Sequence, residues 1–266
     1  MKTKYPARTI AGVSSILFAA GAVFVLGFFG GAPAAHAADC SITPADIAQI
    51  AAIQNDQTLG YSDETKAELA LRKQLVGQTI GCAQKEVKML QASLASTTAP
   101  DSAKQLQSQL AGDLNQASGF YNGELQQLNV VGVAGTKDIA QNVLAWRAST
   151  FLPLGENVNN FILWAQNQHL FNTAQSRMTQ TEHAVSFLEN ATPDPTLQAA
   201  LNDAQSSFND AQSENAQAQT ALTENLSPDQ TLAFIKQSLA SLSDTYQGFS
   251  NVSTLISKAL PQGYCG

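Results

Sequence analysis

Apolar residues recur three and four positions apart over most of the chain. One run is Leu69, Val76, Ile80, Ala83, Val87, Leu90 and Leu94; a second is Leu106, Leu110, Leu114, Ala117, Tyr121, Leu125 and Leu128. Further runs follow at Phe171, Ala174, Met178, Thr181, Val185 and Leu188, and at Leu197, Leu201, Ala204, Phe208, Ala211, Asn215, Ala218 and Leu222. The last is Leu232, Ile235, Leu239, Leu242, Tyr246, Phe249, Val252 and Ile256. A mean spacing of about 3.5 residues is the heptad seam of packed helices. Asn215 is the polar member of its seam, the kind of residue that fixes register. No alternating pattern of useful length argues for a strand.

Turn and cap residues separate the runs. Thr43-Pro44 opens a short first helix ending near Asn55, and Ser62-Asp63-Glu64 caps the second, which reaches about Ala95. Gly77 and Gly81 within it predict a close backbone neighbour beside Cys82. Thr97 to Pro100 breaks the chain before a third helix capped by Asp101 or Ser102. Val130 to Gly135 (VVGVAG) reads as a link, with Thr136 capping the next helix. Pro153 lacks an amide donor and pushes Leu152 from helical angles, so a kink or break is expected there, with a second segment from about Glu156 to Asn190. Thr192-Pro193-Asp194-Pro195 and the capping box Ser227-Pro228-Asp229-Gln230 start the last two helices. The short connections make neighbours antiparallel. The fold class is all-α: an elongated bundle of about five or six long antiparallel helices with coiled-coil-like hairpins.

The N-terminus changes the picture of where the chain works. Lys2, Lys4 and Arg8 precede an uncharged stretch from Ile10 to Phe29, and Ala35-His36-Ala37 is a small-x-small site. Residues 1–37 read as a secretory signal peptide, or, left uncut, an anchor of about 20 apolar residues. Residues 38–266 form one helical domain placed outside the cytoplasm: periplasmic, secreted or held at the envelope. A membrane is met only through an uncleaved N-terminal segment.

The whole chain carries 14 basic and 21 acidic residues. Three of the basic ones lie in the signal, which leaves the domain with 11 against 21, a net charge of −10. Such a surface repels phosphate backbones, so nucleic acid is not an expected partner. Export favours a disulfide among Cys40, Cys82 and Cys265. A first helix running back along the second brings Cys40 level with Cys82, which is the expected pair; Cys82–Cys265 is the alternative.

Catalytic and cofactor motifs are missing from the sequence. His169 and His183 lie fourteen residues apart, about 21 Å along a helix and too far for one metal ion. There is no Glu-x-x-His, His-Glu-x-x-His, Cys-x-x-Cys-His, Gly-x-Ser-x-Gly or phosphate loop. No catalytic residue, cofactor or metal site is assigned. Three Asn-x-Ser/Thr triplets, at Asn190, Asn225 and Asn251, read as solvated helix and turn residues. The least generic cluster is Trp146, Arg147, Phe151 and Trp164. It packs as core at a kink or serves as a partner-binding surface, since Trp, Arg and Phe anchor interfaces. The expected function is a non-enzymatic helical scaffold that binds a protein partner or self-associates. A pore-forming helical protein and a small-ligand-binding bundle are the alternatives.

Overall fold

A computed structural model describes residues 43–191 and 193–259. The helices are α1 (Pro44–Gln54), α2 (Tyr61–Ser96), α3 (Lys104–Val130), α4 (Val133–Trp146), α5 (Leu152–Ala191), α6 (Pro195–Thr223) and α7 (Pro228–Ala259). A 3-10 turn, Asp101–Ala103, leads into α3, and a π turn, Arg147–Phe151, joins α4 to α5. The fold is all-α. Counted as one path through the π turn, α4 and α5 leave six packed helical rods among the described residues.

Caps explain most of the boundaries. Thr43 accepts from the Asp46 amide while Asp46 reaches back to the Thr43 amide, a full capping box. Asp194 Oδ1 accepts from the amides of Thr196 (2.9 Å) and Leu197 (3.4 Å), with Pro195 in the first turn. Asp194→Ala should therefore cost about 1 kcal/mol, read as a lower urea midpoint at unchanged slope. The α6–α7 turn is closed by Asn225, whose φ of 55° is left-handed, with the Leu226 amide bonded back to the Ala221 carbonyl. Asparagine enters that region more readily than most residues, and the bond is that of a Schellman end.

Several boundaries differ from the sequence pattern. Gly60, not Ser62, is the N-cap of α2, and no side chain caps it. The VVGVAG link shrinks to Val131 and Gly132: α4 starts at Val133, and Thr136 lies inside it, bonded to the Gly132 carbonyl. At Pro153 the helix does not stop. The Leu152 amide bonds to the Arg147 carbonyl, five residues back. This wider turn carries the chain into α5 with Pro153 already in its first turn, where no donor is needed. Among the described residues no backbone comes close to the glycines of α2. A Cβ on Gly77 would meet only Leu128 Cδ2 at 3.7 Å, and among the described residues nothing lies within 4 Å of one on Gly81.

Polar rungs set the register between helices. Gln84–Asn122 (2.7 Å) and Gln91–Asn115 (2.9 Å) hold α2 against α3, one heptad apart. Gln168–Asn215, Gln175–Gln212 and Glu182–Gln205 do the same for α5 and α6. On α7, Thr231, Ser238 and Thr245 are buried at heptad spacing, each hydroxyl bonded to a carbonyl of its own chain a turn back. Asn160 crosses to the Pro228 carbonyl at 2.8 Å.

The apolar interior forms two clusters. The first joins α2, α3, α4, the π turn and the first part of α5, with Ala218, Leu222 and Ile235 from α6 and α7. Among the described residues the second belongs to α5, α6 and α7 alone, from Phe171, Met178 and Val185 to Phe208, Leu242 and Val252. No helix among the described residues is long and apolar enough to cross a membrane.

Candidate functional site at the π turn

Three of the four cluster residues meet at the π turn. Trp146 closes α4, and Arg147 and Phe151 bound the turn itself. The ring of Trp146 stacks on Phe120 of α3, with centroids 4.1 Å apart and planes 17° off parallel. Tyr121 presents its edge to Trp146 (5.3 Å) and to Phe151 (5.8 Å). Edge-on and offset pairs of this kind add to simple burial, by about 0.5–1.5 kcal/mol each.

Arg147 ties this aromatic group to α2. Its Nη1 donates to Glu86 Oε2 at 2.5 Å, and its guanidinium carbon sits 5.3 Å from the Phe151 ring centre. Both partners are half-buried. Burial opposes the charge on Arg147, but Glu86 and Tyr121 outweigh it and hold the guanidinium above its ordinary value. The Tyr121 hydroxyl is enclosed beside Arg147 without meeting hydrogen-bond geometry. Burial raises its phenol above the ordinary value, and Arg147 only partly offsets this. A phenol with a raised folded value stabilises the fold fully below the unfolded value, near 10, and loses that contribution as pH rises past it. Stability should fall from pH 10 upward, and Tyr121→Phe should flatten that fall in a series of urea midpoints.

Trp164 does not join the group. It lies thirteen residues on from Phe151 in α5, only 2% exposed, against Phe161 and with its Nε1 3.4 Å from the Asn215 carbonyl. His169 and His183 face solvent from the same helix. Cys82 is buried on α2; its expected partner Cys40, like Cys265, lies outside the described residues.

A groove of about 320 Å³ opens beside Trp146. Leu106 and Leu110 of α3, Pro153 and Leu154 of α5 and Leu222 of α6 form its apolar wall. Gln109, Asp113, Gln116, Ser149 and Asn157 supply the polar rim, and Asn157 Nδ2 donates to Asn225 Oδ1 across one end at 2.9 Å. The rim offers amides that both donate and accept, and one carboxylate, Asp113. It holds no nucleophile–base pair. Among the described residues no group of three His, Cys, Asp or Glu side chains could hold a metal ion.

Glu86, Phe120, Tyr121 and the groove residues of α3 and α6 carry no mark of this role in the sequence. Only the adjacent aromatic pair Phe120-Tyr121, where a seam needs one residue, hints at a second contact. Comparison of the chain with known protein families, with curated proteins and with solved structures finds no match.

Proposed function

We propose that this protein is an exported, non-enzymatic helical scaffold that binds a protein partner through the groove at the π turn. The observation that carries the proposal is the groove itself, in which the half-buried Trp146 and an apolar wall meet a rim of amides and hydroxyls with the single carboxylate of Asp113. Single-turn π insertions concentrate at functional sites, and an aromatic flanked by leucines inside a polar rim is the make-up of an interface anchor. Thr150, exposed on the groove lip, tests it without touching the core. Thr150→Arg should abolish cross-linking of the tagged protein to its envelope partner while leaving the circular dichroism and the urea midpoint unchanged. A partner retained at full yield by this variant would sink the assignment.

The groove volume favours one second reading, a small ligand, because about 300 Å³ is the lower end for such sites. A thermal-shift rise with a small uncharged compound, lost in Thr150→Arg, would select it over a protein partner.

Export and the disulfide belong to the same proposal. Gln54 of α1 donates to Glu68 of α2 at 2.9 Å. Cys40 precedes Gln54 by fourteen residues and Cys82 follows Glu68 by fourteen. From that contact α1 rises about 15 Å back to Pro44 and α2 about 21 Å on to Cys82, and the four residues from Cys40 to Pro44 can span up to about 13 Å, enough to bring the two cysteines level. One titratable thiol in the unreduced protein, and a Cys40–Cys82 linked peptide, are the expected results. Three titratable thiols would remove the bridge.

A further inference from the structure

The two apolar clusters are separated by a layer of polar side chains that crosses α5, α6 and α7 at one level. On α5, Ala165 is the last buried residue of the first cluster and Phe171 the first of the second. Between them on α5 lie Asn167, only 2% exposed with an Nδ2 that finds no hydrogen-bond partner, and Gln168, in a reciprocal amide pair with Asn215 of α6. On α7 the same level holds buried Ser238, and Ser241 donates to Glu214 of α6 at 2.8 Å. An unpartnered buried amide is destabilising, and a layer of amides and hydroxyls contributes little apolar burial. The cooperative link between the clusters is therefore weakest here.

The clusters also differ in support. The first is walled by α2, α3 and α4 as well as by the ends of α5–α7. Among the described residues the second draws on three helices only, and its α6 face includes the small side chains of Ala204 and Ala211. Proteins open in contiguous units where buried apolar contacts are sparse. We propose that the segments of α5, α6 and α7 beyond the polar layer open together as one unit while the first cluster stays folded. Opening bares the α5 seam of Phe171, Met178 and Val185, which the folded state hides.

Native-state hydrogen exchange on the full chain, followed by mass spectrometry in urea below the main transition, tests this. Amides across 171–188, 197–211 and 242–256 should exchange at least about tenfold faster than those across 76–94, 110–128 and 158–165, with one shared urea dependence. The step should fall between 165 and 171 on α5, 211 and 218 on α6, and 235 and 242 on α7. Val87→Ala, in the first cluster, raises the population of the fully unfolded chain but not of the partly open one. It should accelerate the slow set about tenfold or more and leave the fast set unchanged. Equal acceleration of both sets, a single protection class, or a gradual rise from the chain turns with no step at the layer would each overturn the proposal.

Discussion

Trp164→Ala is expected to lower the unfolding free energy by about 3–5 kcal/mol, the range for removing a buried aromatic. The indole is almost wholly enclosed, packs on Phe161, and gives its N–H to the Asn215 carbonyl. Its loss leaves a cavity at the junction of α5 and α6 and an acceptor with a weaker partner. Globular domains carry about 5–15 kcal/mol in all, so the variant should sit near the edge of folding. Trp146→Ala, at a half-buried ring, should cost about half as much. Urea unfolding followed by circular dichroism measures both. A loss below about 1 kcal/mol for Trp164→Ala would mean that the site collapses without strain, contrary to the packing described.

Gly248→Leu is expected to lose about 3 kcal/mol or more, by overpacking rather than by cavity formation. A Cβ on Gly248 would stand 2.7 Å from Ala204 Cβ and 3.0 Å from Ala204 Cα, and the second of these is backbone that cannot rotate away. Even Gly248→Ala should destabilise, although alanine is favoured over glycine in a helix by about 1 kcal/mol. The steric cost of parting α6 from α7 outweighs that gain. The size-swapped pair Gly248→Ala with Ala204→Gly removes the 2.7 Å contact between the two Cβ atoms but keeps the 3.0 Å contact to the Cα of residue 204, so it should recover only part of the loss. A Gly248→Ala protein more stable than the parent would show that the helices can separate freely, and would remove the close approach as a structural element.

The caps and seams are legible in the sequence because they are local. Thr43, Asp194 and Ser227 accept from amides two or three residues ahead, so their roles need only the neighbouring residues. The heptad runs on α2, α3, α6 and α7 point to their buried faces for the same reason: a helix converts spacing into direction. Asn215 is recognisable as a register residue, and it does pair across to Gln168. Pro153 misleads because its missing donor has two remedies. The chain can stop, or it can widen one turn, and the choice depends on whether the residues beyond find a wall to pack on. Here Phe151 and Val158 do, in the first cluster. A small residue such as Gly77 or Gly81 permits a close neighbour but does not supply one, and among the described residues none stands there. The close approach falls at Gly248 instead, where Ala204 is opposite.

The sequence alone determined that the chain is helical, where most helices start and end, and which stripe of each faces inward. Those properties depend on hydrogen bonds and side-chain directions within a few residues. Only the tertiary structure decided that Trp146, Arg147 and Phe151 share a site with Glu86, Phe120 and Tyr121 while Trp164 stands apart, and that a polar layer divides the interior in two. Both depend on the relative height at which separate helices meet. That height is set by the sum of many weak contacts across the bundle, none of which is written in any one stretch of chain.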